Sequence, residues 1–309
     1  MPDLPPVSLP YWLALAVSRC RSPTQPGKML VVSCDSLSGL ETLEEPLPKC
    51  VPAYLLPLLA GCCAAGAPAE VSCPRACPGR PPVLAAAGPP EEGVVFVANG
   101  SGDYRSLSAN LSQVVTETAA PLQVETVPWS HGRWRFLADH LDHGNHRTQG
   151  RHLATEVDAY RRSYPSRRVY LVGHSTGCAV ILAAAEGLPV DGVDRVILLA
   201  PSVCVSYDLR PALCSARAGI DVFHSSEDTA ILFLGMHVVG TAEGGCRSAA
   251  GVRGFNPVIA CAADAALYKK LHQHPWGPDV AWSGHDGGHY GSNQPDFLRA
   301  YVLPLLRSP

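Results

Sequence analysis

Short apolar segments alternate with longer amphipathic segments from residue 93 to the end of the sequence. The apolar runs predict strands over residues 93–98, 122–127, 168–172, 193–200 and 219–224, with a sixth over 280–283. Helices are predicted over residues 106–115, 148–164 and 176–188, with a closing helix over 295–306. Strands that alternate with helices in this way usually form a mainly parallel sheet with helices on both faces. The pattern therefore predicts an α/β fold.

The first ninety residues lack this alternation and differ in composition. They contain seventeen of the twenty-nine prolines, and seven of the twelve cysteines lie at or before Cys77, whereas all twelve histidines come after residue 130. Such a shift indicates a boundary near Pro89 and Pro90. We predict a disordered leader with a signal-like segment over residues 1–61, a tether rich in Cys, Pro and Ala over 62–92, and a folded domain over 93–309.

Charge and hydropathy exclude two classes of protein. The formal net charge is −3 and the sequence pI is about 6.4, so the chain lacks the basic surplus that attracts nucleic acid. No apolar run reaches the roughly 20 residues that a membrane-spanning helix needs. We therefore expect neither a nucleic-acid partner nor a spanning helix.

A short segment of the first ninety residues indicates export. Lys49 precedes the apolar run 51–61, which is the order found in signal peptides. The run ends in Leu-Ala-Gly before Cys62 and resembles the lipobox of bacterial lipoproteins, in which the cysteine is lipidated and becomes the first residue of the mature protein. The resemblance implies a protein held at a membrane surface by lipid on Cys62. Forty-eight residues precede Lys49, and a true start at Met29 would explain this long leader. The alternatives to the signal are a buried apolar helix or a chance match, in a cytoplasmic protein.

The third predicted strand leads directly into the sequence Gly-His-Ser-Thr-Gly at residues 173–177. This is the pattern G-x-S-x-G, and a strand before it with a helix after it is the context of a nucleophile elbow. The turn is so tight that it strains the backbone of the serine and leaves no room for side chains at the flanking positions. The N-terminus of the next helix favours an alkoxide and an oxyanion. We predict that Ser175 is a nucleophile.

With this motif in this context, the chain from residue 93 onward resembles the α/β-hydrolase fold family. The resemblance implies a catalytic triad in the chain order serine, acid, histidine. The acid is expected just after the fifth strand, where Asp228 is preferred and Glu227 is the close alternative. The base is expected between the last strand and the closing helix, where His289 lies among glycines and is preferred over His285.

The resemblance also implies an oxyanion hole made of two backbone N–H groups. One comes from the residue after the nucleophile, which is Thr176 here. The other comes from the loop after the first strand, which reads Ala-Asn-Gly-Ser-Gly, and we expect Asn99 or Gly100 to donate it. The family often has His-Gly in this loop, and some members have HGGG. Asn-Gly in this chain leaves the second donor open.

Other histidines and cysteines are residue types that bind metals, but their spacing in the sequence does not match that of a metal site. His140, His143 and His146, together with Asp139 and Asp142, are the main candidates. Residues three positions apart lie at successively different angles around a helix, so these side chains do not converge on one point. We therefore predict a solvated polar face. Cys178, next to the nucleophile elbow, is predicted to be a packing residue. An exported protein could pair some of the later cysteines, in a connectivity that the sequence does not define. No metal and no other cofactor is expected.

Together these features predict a serine hydrolase that cleaves a carboxylic ester or a related acyl bond of a small-molecule substrate. Ser175 attacks the carbonyl, His289 takes its proton and Asp228 orients the imidazole. A thioesterase, an amidase or an acyltransferase with the same triad is one alternative. A non-catalytic, lipid-anchored binding protein that kept the fold is the other, because a fold alone does not decide function.

Overall fold

The structure is a computed structural model that describes residues 93–228, 241 and 248–307. The predicted leader, the signal-like segment with Cys62 and the tether lie outside the described residues. Among the helices that are described, none is both long enough and apolar enough to cross a membrane.

The described strands form one six-stranded sheet. They are β1 (Gly93–Ala98), β2 (Leu122–Thr126), β3 (Val169–His174), β4 (Arg195–Leu199), β5 (Ile220–His224) and β6 (Leu271–Pro275). The order in the sheet is β2-β1-β3-β4-β5-β6, and every neighbouring pair is parallel. The predicted α/β fold with a mainly parallel sheet is confirmed, and the first five strands lie where the apolar runs predicted them.

Helices connect and flank these strands. They are α1 (Ser106–Glu117), α2 (Phe136–Leu141), α3 (His143–Ser163), α4 (Gly177–Glu186), α5 (Arg210–Ser215), α6 (Ala250–Arg253), α7 (Ala262–Leu267), α8 (Pro295–Phe297) and α9 (Leu303–Arg307). A π-helical turn, Leu298–Val302, joins the last two. Helix α3 begins five residues before its predicted start because the Asp142 carboxylate accepts the N–H of Asn145 and caps it.

The core lies on both faces of the sheet. Along β1, Val94 and Phe96 belong to one buried cluster, whereas Val95 and Val97 belong to another. The first cluster includes residues of α3, α4 and α5, and the second includes residues of α1, α8 and α9. Alternate residues of a strand point to opposite faces, and each fully buried Val or Leu contributes roughly 1.5–3 kcal/mol. Helices on both faces are confirmed.

The prediction of a sixth strand over residues 280–283 is wrong. Those residues belong to a 3₁₀ helix, Pro278–Ser283, and the sixth strand is β6. As an edge strand, β6 is partly exposed and reads Leu-His-Gln-His-Pro, so it has no apolar run. In β6, Nε2 of His274 lies 2.8 Å from Oδ1 of Asp221 in β5. The other carboxylate oxygen of Asp221 accepts a hydrogen bond from Nη1 of Arg195 at 2.6 Å. The Asp221 carboxylate therefore links β5 to both neighbouring strands.

Candidate active site

The chain turns sharply between β3 and α4, at Ser175. This residue has a φ of 54°, in the left-handed region that non-glycine residues rarely adopt. A Cβ on Gly177 would lie 2.4 Å from the carbonyl oxygens of Ala98 and Asn99, which is too close for any side chain. The tight, strained turn that the motif predicts is therefore present, and it exists because a glycine lets the helix start against β1.

Three side chains predicted from separate parts of the sequence meet at this turn. Ser175 Oγ lies 2.9 Å from Nε2 of His289, and Nδ1 of His289 lies 2.7 Å from Oδ2 of Asp228. All three residues are buried, with exposed fractions of 7%, 6% and 2%. Ser175 follows β3, Asp228 follows β5 and His289 lies between β6 and α8. They meet because the carboxyl ends of parallel strands share one edge of a sheet.

The two alternative residues lie outside this hydrogen-bonded chain. Glu227 is exposed, whereas Asp228 is buried. His285 is buried, but its Nδ1 accepts the backbone N–H of Gly287 at 3.1 Å, and its ring packs edge-on against Phe297. His285 thus braces the loop that carries the other histidine.

His174, inside the motif, contacts the same loop. Its Nε2 donates to the backbone carbonyl oxygen of His289 at 2.9 Å, and its ring packs against Tyr290. Burial, together with the nearby His289 ring, lowers the pKa of His174 to about 3. The ring is therefore neutral at pH 7. Sequence reasoning missed this residue, although its place next to the nucleophile was a signal.

Acid is expected to destabilise the protein between pH 6.5 and pH 4. Burial lowers the pKa of His174 to about 3 and that of His285 to about 4, whereas an unfolded chain takes up these protons near the usual histidine pKa of 6.5. The unfolded state therefore binds more protons as the pH falls. Each histidine should lower the free energy of unfolding by about 1.5 kcal/mol between pH 6.5 and pH 5. Denaturant unfolding at several pH values measures this loss.

His285→Gln provides the control for this acid effect, because glutamine keeps a hydrogen-bond acceptor and does not titrate. The free energy of unfolding of the variant should fall less steeply with decreasing pH than that of the wild type. Identical slopes would contradict the assignment of buried, neutral His285.

The loop after β1 lies against the turn, and the candidate oxyanion donors differ in their surroundings. The side chain of Asn99 exchanges two hydrogen bonds with Ser108 of α1. A Cβ on Gly100 would lie 3.4 Å from the Cβ of Ser175, so the backbone there is close to the nucleophile. The backbone N–H of Thr176 donates no hydrogen bond to another described residue.

Two side chains that sequence reasoning did not place here converge on Thr176. The hydroxyl of Ser101, the residue after Gly100, donates to Thr176 Oγ1 at 2.9 Å. His140 of α2 has its Nδ1 3.1 Å from the same oxygen. These contacts join the loop, α2 and the turn around Ser175.

The predicted solvated polar face is wrong for Asp139 and His146, which are both buried. The Asp139 carboxylate accepts the backbone N–H groups of Gly102 and His131, each at 2.7 Å, and the Ser130 hydroxyl at 2.6 Å. The sequence could not show this because the donors come from two loops that only the fold brings together. In the described ranges, no group of three or more His, Cys, Asp or Glu side chains has the arrangement of a metal site.

Asp139→Asn is expected to destabilise the protein by about 3 kcal/mol. An amide has one acceptor oxygen, so it cannot accept both Gly102 N–H and His131 N–H, and one buried donor loses its partner. Denaturant unfolding measures the loss. Asp142→Asn is the matched control, because Asp142 is exposed at the start of α3 and asparagine is an equally good helix cap. Equal stabilities of the two variants would contradict the assigned role of Asp139.

The described cysteines have structural positions. Cys178 is fully buried in α4, and its thiol donates to the carbonyl oxygen of Leu199 at 3.7 Å, in agreement with a packing role. Cys204, Cys214 and Cys261 are disulfide-bonded. Structural disulfides usually form in oxidising compartments, such as the periplasm or the extracellular space.

No protein-family model matches the chain, and no curated protein matches it. It is similar in structure to an acetylxylan esterase (15% identity, 69% of this chain and 99% of that chain covered, TM-score 0.37). A hydrolase of the α/β superfamily from Xanthomonas campestris has 17% identity, coverage of 69% and 99%, and a TM-score of 0.37. A poly(3-hydroxybutyrate) depolymerase from Bordetella parapertussis has 16% identity, coverage of 72% and 86%, and a TM-score of 0.43.

The architecture is defined by the chain's own features, namely six parallel strands in one sheet, helices on both faces and the strained turn at Ser175. The chain has a fold of the α/β-hydrolase type.

Proposed function

We propose that the protein is a serine hydrolase that cleaves a carboxylic ester or a related acyl bond. The observation that carries the proposal is the hydrogen-bonded chain from Ser175 to His289 at 2.9 Å and on to Asp228 at 2.7 Å. A nucleophile, a base and an orienting acid within hydrogen-bond reach of one another are the signature of covalent acyl transfer. The strained backbone at Ser175 adds support, because such strain is concentrated at functional sites.

Each of the three hydrogen-bonded side chains has one task in the proposed reaction. The His289 ring donates from Nδ1 to Asp228, which leaves Nε2 free to accept the proton of the Ser175 hydroxyl. The serine oxygen attacks the carbonyl carbon, and the protonated ring then gives its proton to the departing alcohol. Water repeats the sequence on the acyl-enzyme and releases the acid. Asp228 keeps the ring in the correct tautomer and stabilises its charged form.

The negative oxygen of each tetrahedral intermediate needs hydrogen-bond donors nearby. The backbone N–H of Thr176 supports this role, since it has no other acceptor in the part of the chain that the structure describes. Gly100 is next to Ser175 and is preferred over Asn99 for the second donor. The start of α4 adds the positive end of its dipole at the same place.

The surface beside the site favours a substrate with an apolar part. Helix α2 contacts Thr176 through His140, and on the same segment Trp134, Leu137 and Leu141 are at least half exposed. Exposed apolar side chains on a segment that contacts the turn at Ser175 suit an acyl chain or another apolar group. We therefore propose acyl esters as substrates and expect hydrolysis to depend on acyl length.

A fluorophosphonate probe separates this function from a non-catalytic binding role. The purified protein should react with the probe and should hydrolyse p-nitrophenyl esters in a panel of increasing acyl length. Protein that is folded but neither reacts with the probe nor hydrolyses any ester of the panel would overturn the proposal.

Asp228→Asn is expected to lower kcat roughly 10³- to 10⁴-fold, because the amide favours the wrong imidazole tautomer and removes the charge. Glu227→Gln is the matched control, since it makes the same chemical change at the neighbouring, exposed residue. It should leave kcat near the wild-type value. Steady-state kinetics of both variants provide the measurement. A larger loss of kcat in Glu227→Gln would show that Glu227, and not Asp228, is the acid.

We also propose that the protein is exported and attached to a membrane surface by lipid on Cys62. The Leu-Ala-Gly sequence before Cys62 and the disulfide-bonded Cys204, Cys214 and Cys261 support this. After expression in a bacterial host, mass spectrometry should identify lipidated Cys62 as the N-terminus, in the membrane fraction. A cytoplasmic product that retains residues 29–61 would overturn the proposal.

A further inference from the structure

A second hydroxyl lies beside the nucleophile, and the proposed triad does not account for it. Ser202 Oγ is 3.0 Å from Ser175 Oγ, and the backbone N–H of Ser202 donates to the Ser175 carbonyl oxygen at 3.2 Å. Ser202 is only 1% exposed. It follows β4, the neighbour of β3, so the parallel sheet brings it next to the turn. Among the described residues, Ser175 is the only hydrogen-bond partner of its side chain.

Counting protons determines which of the two hydroxyls donates. The Asp228 carboxylate only accepts, so Nδ1 of His289 carries a proton and Nε2 of the neutral ring carries none. The single hydroxyl proton of Ser175 is donated to Nε2. The other hydrogen bond at Ser175 Oγ must therefore be donated by Ser202.

Building on the proposed function, we propose that Ser202 is a further catalytic residue, which stabilises the serine oxygen as it leaves the acyl-enzyme. In this step His289 takes a proton from water, and the water oxygen bonds to the acyl carbon. The bond between that carbon and Ser175 Oγ then breaks, its electron pair stays on Oγ, and Oγ takes the proton from His289. Charge builds on Oγ while the bond breaks, and a hydrogen bond to a charged oxygen is roughly twice as strong as a neutral one.

The contribution of this hydrogen bond differs between the two halves of the reaction. Before acylation, Ser202 already donates to the neutral hydroxyl of Ser175, so part of the stabilisation is present in the ground state. In the acyl-enzyme the same oxygen belongs to an ester and is a poorer acceptor. Only interactions that strengthen on going to the transition state accelerate a step. Ser202 should therefore assist deacylation more than acylation.

Ser202→Ala is expected to slow deacylation roughly tenfold to a hundredfold, the range for a lost hydrogen bond to a charged group, and to slow acylation by a smaller factor. Stopped-flow mixing with p-nitrophenyl acetate separates the two steps. The burst gives acylation, and the later steady rate gives deacylation. Mass spectrometry of the quenched reaction should show a larger fraction of acetylated enzyme in the variant than in the wild type.

Two further variants keep the test decisive. Ser215→Ala removes another fully buried serine hydroxyl, which donates to a backbone carbonyl in α5, and should change neither rate constant. Ser202→Cys keeps a weaker donor and should give an intermediate deacylation rate. A folded Ser202→Ala or Ser202→Cys variant with wild-type deacylation, or with equal losses in both steps, would overturn the proposal. A wild-type enzyme that forms no acyl-enzyme would instead overturn the proposed function.

Discussion

Ser175→Ala is expected to lower ester hydrolysis roughly 10⁴-fold or more, because triad members act as a unit and the nucleophile has no substitute. The fold should persist. Alanine at a φ of 54° is strained no more than serine, and the carbonyl of residue 175 still accepts the N–H groups of Cys178 and Ser202. The kcat/KM for a p-nitrophenyl ester, measured with the unfolding temperature of the same preparation, tests both parts of the expectation.

The site of covalent labelling provides an independent readout of the same prediction. A fluorophosphonate adduct should map to the wild-type peptide that contains Ser175 and should be absent from Ser175→Ala. Ser215→Ala should still be labelled at Ser175 and should remain active. An adduct on another serine, or wild-type activity in Ser175→Ala, would overturn the assignment of the nucleophile.

The sequence predicted the parts of the site that local chemistry determines. The strained turn at Ser175 needs glycine at 177, an apolar strand before it and a small-residue helix after it, and all of these are visible in one short segment. Strands β1, β3 and β4 are fully buried, so they read as continuous apolar runs. Local pattern was therefore sufficient for most of the sheet.

The β6 edge of the sheet had no such pattern. Strand β6 is polar because it is partly exposed, and its histidines face the carboxylate of Asp221 on the neighbouring strand. The apolar Val280 and Trp282 were a stronger strand signal, but Pro278 and the preceding glycine favour a helical turn there instead. Hydrophobic periodicity therefore did not identify β6, whereas β2, at the other edge of the sheet, was predicted from its own apolar residues.

Contacts between distant segments were also beyond the reach of sequence reasoning. Asp139 is buried, and donors from two loops surround its carboxylate. Ser202 touches the nucleophile because β4 lies next to β3. Strand order was the signal that could have found Ser202, since a residue directly after β4 must lie close to the turn after β3. Nothing comparable was available for Asp139.

The choice between His289 and His285 depended on packing for the same reason. Both lie in one glycine-rich loop, and spacing alone allows either to approach Ser175. In the structure, Nε2 of His289 lies 2.9 Å from Ser175 Oγ, whereas Nδ1 of His285 accepts the N–H of Gly287. The two rings thus have different partners, and replacing each of them should have different consequences.

His289→Ala is expected to lower kcat about as far as loss of the nucleophile does, roughly 10⁴-fold or more, because no other group can take the proton of Ser175. His285→Ala is the matched control, since it removes an equally buried imidazole from the same loop. It should cost stability through lost packing against Phe297 and leave kcat within roughly tenfold of wild type. Steady-state kinetics and unfolding temperatures of both variants test this contrast. If His285→Ala were instead the inactive variant and His289→Ala retained activity, the base would be His285 and the proposed triad would be wrong at that position.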